Sequence, residues 1–180
     1  MDSTTFNSTV ETLHPFYSLL GEAAATLLGL LFVSVTFNGQ ILDPTSGSTQ
    51  RRHAENIFRQ FGFLVWLSLA MLLPLTPVEL GLNLLLQSLC FFTWTLLGFC
   101  RSFPAAQASR DRRFWKNYLS NFATYLGAAW AGCLLLGWGP ESSSAFSFLI
   151  TVSFLALFSG LYGVWRLMLN RGSSPEARTE

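Results

Sequence analysis

The chain has 180 residues, of which 51% are apolar, 15% aromatic and only 12% charged, and its net charge is +1. That is about half the charge of an ordinary soluble domain, and the apolar residues gather into runs near the roughly 20 positions that a helix needs to cross a bilayer. A soluble enzyme, a nucleic-acid binder and a disordered chain are excluded, and a multi-pass membrane protein is expected.

The first apolar run opens after His14-Pro15 and continues over 16–37, with Glu22 its single charge. The second covers 57–75 and the third 80–100, separated by Thr76-Pro77-Val78-Glu79, which reads as a tight turn because Pro74 and Pro77 discourage helix. The fourth runs over 118–138 and stops at Gly139-Pro140; the fifth covers 145–169. The tail from Gly172 to Glu180 is polar and expected to be disordered. The fold predicted is all-α: one transmembrane domain, a bundle of five spans.

Orientation follows from the eleven Lys and Arg residues, which short cytoplasmic segments retain. With the flanking ends of the spans included, the six successive segments hold 0, 3, 0, 5, 0 and 3 of them, Arg51, Arg52 and Arg59 around the 1–2 loop and Arg166, Arg171 and Arg178 at the C-terminal end, which places the N-terminus outside and the C-terminus in the cytoplasm. The preceding segment has Asp2 and Glu11 but no Lys or Arg, so the first run does not read as a cleaved signal. Trp115, Trp138 and Trp165 fall at predicted boundaries, whereas Trp66 and Trp130 fall near mid-membrane, where packing or lipid contact is the plain reading.

Within lipid, helices meet through small residues and interhelical hydrogen bonds. Gly21, Ala25 and Gly29 form such a groove on the first span and mark it as the candidate central helix; Ala123, Gly127 and Ala131 repeat the spacing on the fourth, and Ser159 and Gly163 on the fifth. Packing inside one subunit weighs ahead of an oligomer interface for all of them. Cys90, Cys100 and Cys133 make no C-x-x-C pair, and His14 and His53 lie near opposite boundaries, so neither a metal nor a cofactor is expected. No catalytic motif is recognisable, and the chain does not read as an enzyme.

Glu22 is the one acid inside a span. Counted at 1.5 Å per residue, it lies roughly 9 Å below the outer end of its helix, and such a position calls for a reason. The same counting brings Ser68, Asn83, Gln87, Cys133 and Thr151 near its level, which predicts a polar layer in the outer half of the bundle centred on Glu22 and Gln87. A register-fixing hydrogen-bond network and a cation or proton pathway both fit. Ser18, Glu22, Thr26, Gly29, Val33, Thr36 and Gln40 also form one stripe along the first span. The stripe either lines a pore shared by several subunits or packs against neighbouring helices. The 101–117 segment is the most basic: Arg110, Arg112, Arg113 and Lys116 flank Trp115, as topogenic charges or as a site for anionic lipid or an acidic partner.

The stretch from Ala24 to Val33 (Ala-Ala-Thr-Leu-Leu-Gly-Leu-Leu-Phe-Val), followed by a Ser/Thr pair and Asn38, resembles the first span of a family of small bacterial membrane proteins, some labelled FtsH-protease modulator. The likeness extends through Leu72-Leu73-Pro74 and the five-span layout, with Thr36 where the family would have Ser. It implies a bacterial inner-membrane location and carries no catalytic or binding residues. Two functions are therefore expected in rivalry. One is a homo-oligomeric channel or transport protein using Glu22 and the first-span stripe. The other is a non-catalytic accessory or regulatory subunit that docks on another membrane protein.

Overall fold

The computed structural model describes residues 3–37, 49–109, 112–137 and 144–169, with side chains for 5–37, 51, 54–100, 118–137 and 144–165. All the regular structure within them is helical: α1 (Ser3–Thr36), α2 (Thr49–Leu72), α3 (Pro77–Ser109), α4 (Arg112–Leu135) and α5 (Ser144–Leu169). Three of the five contain a segment long and apolar enough to cross a membrane: Thr5–Thr36, Pro77–Cys100 and Ser144–Trp165.

Each apolar run falls on a helix, but every helix starts before its run, and α1, α2 and α4 stop short of the run's end. α1 begins at Ser3 and passes through Pro15 without a break. Pro15 gives no N–H to the carbonyl of Glu11, yet both residues are exposed, so that carbonyl can be solvated. In exchange the extra turns bury Phe6, which packs on Phe146 with ring centroids 5.8 Å apart, and Val10 and Leu13 continue the same face. Burying a phenylalanine stabilises by about 1.5–3 kcal/mol, enough to offset much of an interior proline.

The connection between α2 and α3 corrects the expected turn. Pro77, Val78 and Glu79 do not form the turn; they are the first turn of α3. Thr76 is the N-cap: its hydroxyl accepts the Glu79 N–H at 3.3 Å, and the Glu79 carboxylate accepts the Thr76 N–H at 2.8 Å. Proline at the first helical position loses a donor that had no partner there anyway, so Pro77 starts the helix rather than breaking it. At the same end of the bundle α4 stops at Leu135, before the expected Trp138, because Gly137 adopts φ +82° and its N–H turns back to the Leu134 carbonyl at 3.1 Å.

The small-residue groove does not make α1 the central helix. α2 packs against α1, α3 and α5, while α3 and α4 pair closely, as do α4 and α5. Only 17% of the apolar window of α1 is buried, against 33% in α3 and 39% in α5. Centrality goes to the helix with polar side chains to shelter, and those lie on α2.

A close backbone approach joins α3 to α4. A Cβ built on Gly81 would stand 3.0 Å from the Gly132 carbonyl oxygen, and one on Gly132 would stand 2.9 Å from that of Gly81. Neither position tolerates a side chain at this spacing. Farther along, Phe92–Phe122 and Phe99–Tyr118 stack edge to face at 5.1 and 5.3 Å, zipping the two helices together as an antiparallel pair.

Candidate functional site

The polar residues chosen by depth divide between the inside and the outside of the bundle. Ser68 and Gln87 are buried, Asn83 and Cys133 are half-buried, and Glu22, Thr26 and Thr151 are exposed. Gln87 donates to the Phe63 carbonyl on α2 at 3.0 Å, an interhelical bond. Thr26 and Thr151 donate to carbonyls one turn back on their own helices, those of Glu22 and Ser147, at 2.8 and 2.9 Å. The Glu22 carboxylate accepts from Ser18 at 3.4 Å, and among the described residues no cation pairs with it. Depth alone did not assemble a layer centred on Glu22, because residues at one height point in different directions around the bundle.

The stripe on α1 keeps its continuity. Ser18 is half-buried, and Glu22, Thr26, Gly29, Val33 and Thr36 are exposed; Gln40 lies outside the described residues. A Cβ on Gly29 would meet nothing within 4 Å. The stripe therefore faces away from the chain's own helices.

The small residues sort the same way. Gly21 packs on Ser68, Gly127 lies under Val152, Ala131 and Gly163 are buried, and Ser159 accepts from or donates to the Ser120 hydroxyl at 3.0 Å. Ala25, Gly29 and Ala123 face outward. Of the basic group, Arg110 and the side chains of Arg112, Arg113 and Lys116 lie outside the described residues.

The interior holds a polar cluster that the sequence reading missed. Arg59 of α2, only 6% exposed, reaches α3 and donates from Nη1 to the Trp94 carbonyl at 3.3 Å. Its Nη2 donates to Asn56 Oδ1 at 3.3 Å, and the same oxygen accepts from Asn121 Nδ2 of α4 at 2.6 Å. The Tyr125 hydroxyl lies beside Thr95, near the guanidinium. Gly98 makes room for the head group: a Cβ there would stand 3.0 Å from Nη1.

Gln60, 2% exposed, sits at helical spacing between Asn56 and Phe63, both of which meet α4. Three helices thus close around one guanidinium, with the rings of Phe63, Phe91 and Tyr125 covering the next turn at centroid spacings of 5.1 to 6.0 Å. The signal was present as Asn56, Arg59, Gln60 and Phe63 at steps of three and four, matched by Asn121, Thr124 and Tyr125. In the count of Lys and Arg along the chain Arg59 serves as a topogenic charge, a role that gives no sign of this cluster.

The exterior is the reverse of the interior. Leu19, Phe32, Leu86, Leu89, Leu119 and Phe158 are each more than 60% exposed, and Trp66, Trp94 and Trp130 more than half. Trp66 and Trp130 accordingly face outward rather than packing inside. No family model matches the sequence, and no curated protein or solved structure is significantly similar to it.

Proposed function

We propose that the chain crosses the bacterial inner membrane five times, N-terminus outside and C-terminus in the cytoplasm, and assembles from several copies into a channel or transport protein for cations or protons. The apolar exterior, with the polar side chains of Asn56, Arg59, Gln87 and Asn121 turned inward, supports a lipid surround. The alternation of Lys and Arg along the chain supports the orientation. The resemblance of the Ala24–Val33 stretch supports the compartment.

One observation carries the transport reading. On α1 a carboxylate, two hydroxyls and a bare glycine backbone share an outward face, flanked by exposed Leu19, Leu30 and Phe32. Against lipid, an ionised Glu22 would cost on the order of 1–3 kcal/mol at its depth. Copies arranged with this face toward a shared axis would remove that cost by placing the carboxylate in water, and would line the axis with Ser18, Glu22, Thr26 and Thr36. α1 suits the role because it is the least covered of the three most apolar helices.

The test is proton and monovalent-cation flux in vesicles reconstituted with the wild type or Glu22→Gln, together with the mass of the assembly in mild detergent. Several copies, and flux at least tenfold lower in the variant, are expected. A single copy with unchanged flux would overturn the reading. A single copy co-purifying with a larger membrane complex would instead make the α1 stripe the docking face of an accessory subunit.

A further inference from the structure

Among the described residues the Arg59 cluster has a positive charge with no counter-charge, and its unbonded buried amide and guanidinium atoms are two donors, Arg59 Nε and Gln60 Nε2, against one acceptor, Asn121 Oδ1. Among the described residues no carboxylate reaches Arg59; Arg51 on the same helix is exposed and pairs with Glu55 at 3.0 Å. Both acceptors that Arg59 does reach, the Trp94 carbonyl and Asn56 Oδ1, are neutral, and the second also serves Asn121. The Arg59 Nε–H is buried without an acceptor, as is the Gln60 amide nitrogen. The Thr95 and Tyr125 hydroxyls nearby are buried side by side; a bond between them uses one of their two O–H groups and leaves the other to donate. Buried charges are ordinarily paired, and buried donors ordinarily find acceptors. A donor-rich site of net charge +1 asks for a ligand that only accepts and is singly negative.

We propose that this cluster between α2, α3 and α4 binds one monoanion, coordinated by the Arg59 guanidinium and the hydroxyls of Thr95 and Tyr125. The chemistry is the same for a free halide and for the phosphodiester of an acidic lipid. The inference is independent of the transport reading, since it uses residues on different helices from the α1 stripe and a readout that does not involve flux.

The experiment is thermal unfolding of the full chain in mild detergent at constant ionic strength. Chloride is exchanged for gluconate, a strongly hydrated and weakly coordinating anion, and phosphatidylglycerol is added in a second arm. Binding at ten times the dissociation constant should raise the Tm of the wild type by about 3 to 6 °C. A response to chloride identifies a free anion, and a response to phosphatidylglycerol alone identifies the lipid phosphate. Arg59→Gln should abolish either response.

Asn56→Asp guards against a variant that merely folds poorly. Asn56 Oδ1 already accepts from both Arg59 and Asn121, so a carboxylate of the same shape keeps both bonds and adds the missing charge. This variant should melt higher than the wild type in gluconate and gain less than 1 °C from either ligand. A wild type indifferent to both anions, or an undiminished response in Arg59→Gln or Asn56→Asp, would overturn the proposal.

Discussion

The Arg59 cluster and the Glu22 stripe are opposite solutions to the same difficulty, a charged side chain in a largely apolar molecule. Arg59 is surrounded on three sides by its own chain, is 6% exposed and reaches acceptors on its own and a neighbouring helix. Glu22 is exposed, and its carboxylate touches only a serine one turn back on its own helix. The first charge is part of what holds α2, α3 and α4 in register. The second contributes little to the fold of a single chain, and the proposed function gives it a role in an assembly of several. Stability and transport should therefore respond to the two regions in opposite proportions.

The largest effect should come from Asn56→Leu. It strips the acceptor from both the guanidinium and Asn121 while leaving them buried, at a cost of about 2–4 kcal/mol, measurable as a shift in the unfolding midpoint in mixed detergent and SDS. Gly132→Ala should follow at about 1–3 kcal/mol, because its methyl would meet the Gly81 carbonyl at 2.9 Å and force α3 and α4 apart. Gln87→Leu should cost less, about 0.6 kcal/mol, the average for an interhelical bond within a membrane. Its lost partner, the Phe63 carbonyl, remains inside a helix. At the small end, Thr26→Val should change stability by under about 0.5 kcal/mol yet reduce flux in vesicles. A loss of stability larger than that of Gln87→Leu would show that the α1 face is structural after all.

The helices themselves were legible, because uninterrupted apolar runs and the charges between them need no knowledge of packing. Their ends were less so. The Thr76-to-Glu79 cap was written in the sequence, but its prolines drew attention to breaking rather than starting. The early start of α1 depends on Phe6 finding Phe146, a contact between residues far apart in the chain. The candidate site suffered most, for a geometric reason. Counting residues from a helix end yields height and says nothing about azimuth, so Glu22 and Gln87 appeared to be neighbours when one faces outward and the other inward. Arg59 was discounted for a related reason: hydropathy records that α2 and α4 are less apolar than the rest, but not that their polar sides face each other.

The mutual contact of Gly81 and Gly132 has a mechanical corollary. Where two backbones touch with no side chains between them, sliding is blocked, so the crossing acts as a fulcrum for any tilt of α3 against α4 that the Phe92–Phe122 and Phe99–Tyr118 contacts yield to. The Trp94 carbonyl, which holds Arg59, lies thirteen residues from Gly81, a lever arm of about 20 Å at 1.5 Å per residue. A tilt of about 5° would move the anchorage of the guanidinium by nearly 2 Å, over half a hydrogen-bond length, while hardly stirring the pivot.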